Sequence, residues 1–303
     1  MRIFSLFLLL IGVAQITMAN PVIYQDGKML DIIVDSKTTD AQLFYSLTSQ
    51  VAVGYRYFQY LKTPSATNLG QVNFLLKRWN EEDSQANIYL LGGLGVQDQS
   101  VETYLGVEAD WENRRIYLSA LAETFGGNES MTKWTLRTGV APYLADYNDL
   151  NTWFILQTSH ISSAQENDTW IIPMVRFFKD NILVELGSNG KIHSATFRIH
   201  FSRRSTMKTK HLFLLLVSLI LFSTSLMAEP QKPITVKVKG LVCSFCAQGI
   251  KKRFSKFDAV KSVQVSLEKK TVVLELNPDK SLDDKTIKTS LEEAGYGVTR
   301  IDR

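Results

Sequence analysis

Alternation with period two restricts the first two-thirds of this chain more than any other feature. In the run Val101-Glu102-Thr103-Tyr104-Leu105-Gly106-Val107-Glu108-Ala109-Asp110-Trp111, apolar and polar residues take turns. Successive side chains of a strand point to opposite faces, so such a run has one oily face and one charged face. The same rhythm sets Arg115, Tyr117, Ser119 and Glu123 against Ile116, Leu118, Ala120 and Ala122, and Lys133, Thr135 and Arg137 against Trp134, Leu136 and Thr138. Further strands are expected near 30–36, 51–60, 70–79, 84–96, 150–159, 169–178, 181–187 and 191–201, separated by turn-forming Asn-Glu-Glu-Asp, Gly-Gly-Asn and Ser-Asn-Gly.

A soluble periplasmic sandwich also alternates, so strand length and aromatic placement decide. Segments of about 9 to 11 residues suit a tilted membrane strand. Tyr55, Tyr57, Trp79, Trp111, Trp134, Trp153 and Trp170 recur near strand ends, where an interfacial girdle needs them. Residues 20–203 therefore read as an all-β antiparallel barrel of about 8 to 10 strands in a membrane. Glu102, Glu108, Asp110, Arg115, Glu123, Lys133 and Arg137 form its inward set, which suits a water-filled lumen or, preferably, a packed salt-bridged interior. Ala195, Phe197, Ile199 and Phe201 share a face of the last strand, and in this residues 20–201 resemble Gram-negative outer-membrane barrels, which close on a terminal Phe. Here 102 residues follow Phe201, which places the end of the barrel unit inside the chain.

Two segments carry export grammar. Met1-Arg2-Ile3, an apolar run over 4–16 and Thr17-Met18-Ala19 read as a signal peptide over 1–19. The pattern recurs over 207–228, where Met207-Lys208-Thr209-Lys210 precedes an uncharged stretch ending in Met227-Ala228. A transmembrane helix is the alternative for that stretch, at the short end of the roughly 17 to 25 residues that span a bilayer. Arg203, Arg204, Lys208 and Lys210 belong on the cytoplasmic side of such a run, yet the first signal would have exported them. The chain thus reads as two exported units joined across 202–206. Their charges differ: 20–203 carries 15 Lys+Arg against 20 Asp+Glu, and 229–303 carries 15 against 10.

Residues 229–303 contain both cysteines. An alternating strand over 234–240 leads into Cys243-Ser-Phe-Cys246. A helix over 247–257 follows, with Ile250, Phe254 and Phe257 on one stripe. Strands over 262–268 and 271–277 come next. A helix over 283–294, starting near Ser281 or Leu282 and buried through Ile287, Leu291 and Ala294, then ends at Gly295 before a last strand over 297–301. The order is βαββαβ, an α+β arrangement. Gly240-Leu-Val-Cys-Ser-Phe-Cys246, together with Leu291-Glu-Glu-Ala-Gly-Tyr-Gly-Val298, resembles the heavy-metal-associated domain of copper chaperones, P-type metal ATPases and periplasmic mercury-binding proteins. The resemblance covers 233–303 and implies a ferredoxin-like fold. It also implies a packing role for Leu241, where the family has Met, and a place for Tyr296 either over the metal loop or in the core.

Cys243 in a loop and Cys246 at a helix start can bring two sulfurs onto one ion, and the helix start with nearby Lys251 and Lys252 favours thiolates. Two soft ligands select Cu(I), or alternatively Hg(II) or another soft metal ion. A third position left open admits a thiolate of a donor or acceptor protein, so this half reads as a carrier and not an enzyme. A redox pair and a structural disulfide are weaker readings of the same spacing, and export without aromatic interleaving argues against nucleic acid. In the barrel, His160-Ile-Ser162-Ser163-Ala with Glu166 faintly resembles the His-x-Ser-Asn-Ala signature of outer-membrane lipid A deacylases. The alternative function is therefore that of an outer-membrane barrel protein, a pore, a structural barrel or a lipid hydrolase using His160 and Ser162 (against a polar loop there), with the metal unit as an accidental fusion. His193 and His200 fall on opposite faces of one strand. The expected location is the cell envelope, with 20–203 in the outer membrane and 229–303 in the periplasm.

Overall fold

The structure is a computed structural model that describes residues 21–62, 66–127, 130–179, 182–201, 232–243 and 247–303. Both export-like segments, 1–19 and 207–228, lie outside the described residues, as does Cys246.

Twelve strands form a closed antiparallel barrel: β1 (Lys28–Asp35), β2 (Thr38–Ser46), β3 (Val51–Tyr60), β4 (Ala66–Asn80), β5 (Ser84–Gln97), β6 (Ser100–Asn113), β7 (Ile116–Gly126), β8 (Met131–Val140), β9 (Asn151–Ser163), β10 (Asn167–Lys179), β11 (Ile182–Ser188) and β12 (His193–Phe201). Each strand pairs with its sequence neighbours, and β1 closes on β12 with Lys28 opposite Phe201. The closure leaves no strand edge in lipid. Twelve strands replace the expected 8 to 10. The strand missed outright is β2, whose outward face begins with the small Thr39 and Ala41 before Leu43 and Tyr45, while the apolar Phe44 lies on the inward face and blurs the alternation.

Alternation sorts the rest. On β6 the even positions face inward, with Glu102 and Tyr104 buried, while Val101, Leu105 and Val107 are about half to two-thirds exposed on the outside. Leu94, Leu136, Phe154, Ile171 and Leu186 extend this outer band around the barrel. An apolar exterior of this extent is a membrane surface. Two expected girdle residues are corrected: Trp153 and Trp170 are buried and point inward, because each falls on the lumenal parity of its strand. Arg115 also leaves the inward set. It lies in the β6–β7 turn, where its guanidinium donates to the carbonyls of Ala141 and Pro142.

The interior is largely packed and ion-paired, as preferred from the sequence. Arg56, 2% exposed, bridges Asp40 at 2.6 Å and Glu123 at 2.9 Å. Glu185 accepts from Arg137 at 2.5 Å and Arg176 at 2.6 Å, and Arg198 pairs with Asp31. What is left open is an axial cavity of about 140 Å³.

The second unit runs β13 (Ile234–Lys239), α1 (Gln248–Phe254), β14 (Val260–Ser266), β15 (Thr271–Leu276), α2 (Asp284–Glu293) and β16 (Gly297–Asp302). The sheet order β14-β15-β13-β16 is that of a ferredoxin-like fold. Ile250 and Phe254 of α1 and Ile287 and Leu291 of α2 are fully buried against Val236, Val272 and Leu274. Gly295, at φ 93°, ends α2, and Tyr296 N–H donates back to the Leu291 carbonyl at 2.9 Å. The cap of α2 is Asp283, the first residue of the expected helix. Its carboxylate accepts from the Thr286 backbone N–H at 2.8 Å and from the Thr286 hydroxyl at 2.6 Å.

These Thr286 hydrogen bonds hold the Asp283 carboxyl below the usual carboxylate range. A carboxyl depressed on folding stabilises fully above its unfolded value of roughly 3.9, and that stabilisation is lost as pH falls through the folded value. Asp283→Ala should therefore lower the midpoint of thermal loss of the helical circular dichroism at pH 7. The gap from the parent should shrink below about pH 3.9.

The small unit docks on the barrel end that carries Lys28 and Phe201. The Gly240 N–H donates to the Glu81 carbonyl at 2.8 Å, and the Leu267 N–H to Asp146 at 2.7 Å. Lys256 pairs with Asp26 at 2.8 Å, and Lys270 pairs with Asp83. A basic face thus meets an acidic rim, matching the opposite net charges of the two units.

Candidate functional site

The loop that leaves β13 turns at Gly240, whose φ of 77° is strained for any residue with a Cβ. A side chain there would also collide with Asn80 of the barrel rim. Leu241 is fully buried and Val242 is 5% exposed, so they pin the start of the loop, and Leu241 does the packing expected of it. Cys243 follows, half-buried, and its carbonyl accepts from the Ala247 N–H at 3.2 Å where the chain turns into α1.

α1 covers 248–254, shorter than the expected 247–257, because Lys256 and Phe257 already close tighter turns onto Arg253 and Phe254. Lys251 and Lys252 both reach aromatic residues of the barrel unit. The Lys251 ammonium lies 4.3 Å from the centre of the Tyr147 ring. Lys252 donates to the Tyr24 hydroxyl at 2.8 Å, and burial pushes its pKa down to about 8. Two further cations come from the barrel: Arg114 and Arg176 share with Cys243 a small cavity that also takes in Glu112 and Trp153. Positive groups beside a thiol favour the thiolate. No sequence signal announces them, since they lie 67 or more residues from Cys243. Tyr296 takes the packing alternative and is 3% exposed in the core of the small unit.

Among the described residues no group of three or more His, Cys, Asp and Glu is arranged to hold a metal ion. A hard-ion cage is therefore absent there, and a pair of thiols suits a soft ion carried as cargo. His193 and His200 do face opposite sides of β12, with His193 exposed and His200 buried.

The hydrolase constellation is not assembled. His160 Nδ1 is 2.8 Å from the Thr169 hydroxyl, and its ring stacks on Trp134 at 5.4 Å. The Glu166 carboxylate is engaged by Lys37 at 2.7 Å, by Lys62 at 2.9 Å and by the Tyr60 hydroxyl. No hydrogen bond joins His160 to Ser162 or Glu166.

Comparison with known proteins separates the two units. Residues 235–297 match the heavy-metal-associated domain. Over 63 residues, 21% of this chain, it is 32% identical to the copper chaperone CopZ of Staphylococcus epidermidis and covers 91% of that protein. It is 31% identical over 77 residues to a probable copper-exporting P-type ATPase of Archaeoglobus fulgidus, of which it spans 10%. Among solved structures, the KdgM porin aligns over 58% of this chain and 98% of its own, at 8% identity and a TM-score of 0.42. Through the unit that holds Cys243, this chain belongs to the heavy-metal-associated domain family.

Proposed function

We propose that residues 229–303 bind a soft metal ion, Cu(I) first, between the thiolates of Cys243 and Cys246, and exchange it with thiolate ligands of a donor or acceptor protein. The observation that carries this reading is the Cys-x-x-Cys between β13 and α1, in a unit that aligns with nearly the whole length of a copper chaperone. Two thiolates satisfy an ion that prefers low coordination, and an incoming thiolate displaces one of them at little cost. No bond in a substrate is made or broken, so the reading is a carrier and not an enzyme. His160 bonded to Thr169 and Glu166 held by two lysines support the same view of the barrel. We place the barrel over 20–203 in the outer membrane and the carrier unit on its periplasmic end, each behind its own export signal.

The test is competitive titration of the full chain in detergent with Cu(I), Hg(II) and Zn(II) against a chromophoric chelator. One equivalent of Cu(I) and of Hg(II) should be withdrawn from the chelator and Zn(II) should not. Equal retention of Zn(II), or no withdrawal of Cu(I), removes the reading. Lipid hydrolysis by the purified chain overturns its non-enzymatic part.

A further inference from the structure

Glu108, Asp110 and Glu112 occupy three successive inward positions of β6. They form a row of carboxylates about 6.8 Å apart along the strand. All three line the axial cavity, which starts near Asp35 and Lys133 at the end remote from the small unit and runs down to Cys243. Its volume of about 140 Å³ has room for several waters or small ions. A cavity of that size suits small ions. Seven carboxylates and four basic side chains line it. Three of the basic groups are tied to acids already: Arg56 to Asp40 and Glu123, Arg198 to Asp31, and Arg137 to Glu185.

Two buried acceptors on the same cavity lack a donor. Asp110 is 9% exposed, and its Oδ1 accepts from the Asn87 amide at 2.7 Å while its Oδ2 has no partner. Gln71, on a strand two removed from β6 and 3% exposed, presents an unpartnered Oε1. Buried oxygens without donors are expensive, and a cation satisfies several together. At the lower end of the row, Glu112 and Cys243 line one pocket.

The geometry points to a cation file through the barrel: a monovalent soft cation enters at the Asp35 and Lys133 end, steps along Glu108, Asp110 and Glu112, and is captured at Cys243. The last step rests on the soft-metal reading of Cys243 and Cys246. Hard carboxylates hold a soft ion loosely and thiolates hold it tightly, which gives the file its direction. The ion only exchanges ligands, with no change of oxidation state.

The test uses the full chain in planar bilayers under a potassium nitrate gradient, with Ag(I) as probe. The reversal potential should lie on the cation side, and Ag(I) added at the end remote from the small unit should block the current. Asp110→Asn should weaken the cation preference. E108Q with D110N and E112Q should abolish it and slow the Ag(I) block at least tenfold. Cys243→Ser with Cys246→Ser should keep the cation preference and lose the block. Anion preference, absence of current from inserted protein, or an unchanged rate of block in the triple variant overturns the file. Cation preference that depends on the carboxylates but comes with no Cu(I) binding in titration overturns the metal reading instead.

Discussion

Replacing Cys243 and Cys246 together by Ser is expected to lower the affinity of the full chain for Cu(I) at least about a thousandfold, ~4 kcal/mol. A hydroxyl has the wrong softness and stays protonated at neutral pH, so both bonds to the ion are lost together. Each single substitution should cause most of that loss, because one thiolate cannot complete two-coordinate binding. Folding should change little, since the buried core of the small unit is built from other residues, among them Ile250, Phe254, Ile287 and Leu291. Unaltered helical circular dichroism with lost binding is the expected pair of results, and parent-like binding by the double variant places the site elsewhere.

Arg56→Met is expected to destabilise the barrel by about 3–5 kcal/mol. Arg56 is buried between Asp40 and Glu123, and its guanidinium faces the rings of Phe58, Tyr104 and Phe125. Removing it leaves two buried carboxylates without the counter-ion they share, which is the expensive half of a broken pair. Adding Asp40→Asn and Glu123→Gln removes both orphaned charges and should recover most of the loss. Urea unfolding in lipid vesicles, followed by tryptophan fluorescence, reads both. A loss below about 1 kcal/mol for Arg56→Met shows that the pair does not hold the barrel together.

The barrel was legible in the sequence because its lipid and lumen faces differ so strongly along strands such as β6, and local alternation is enough to reveal that. Strand number was not, because on β2 the buried Phe44 faces the lumen beside outward Leu43 and Tyr45, which blurs the alternation that marks the other strands. Trp153 and Trp170 misled for a related reason. Position near a strand end looks like a girdle, but parity decides the face, and parity depends on a register that pairing with neighbouring strands sets. In the small unit the elements and their buried stripes followed from spacing, and Gly295 ended its helix as expected. Asp283 took the cap because its carboxylate reaches Thr286, a choice that sequence leaves open between neighbours. The surroundings of Cys243 were out of reach: Arg114, Arg176 and Glu112 come from the barrel and meet the loop only through tertiary docking.

X-ray absorption at the copper edge of the full chain carrying one equivalent of Cu(I) tests the dithiolate assignment most directly. Only sulfur neighbours, two or three in number, are expected around the metal, with two of them lost in the Cys243→Ser, Cys246→Ser chain. A first shell dominated by nitrogen or oxygen contradicts it.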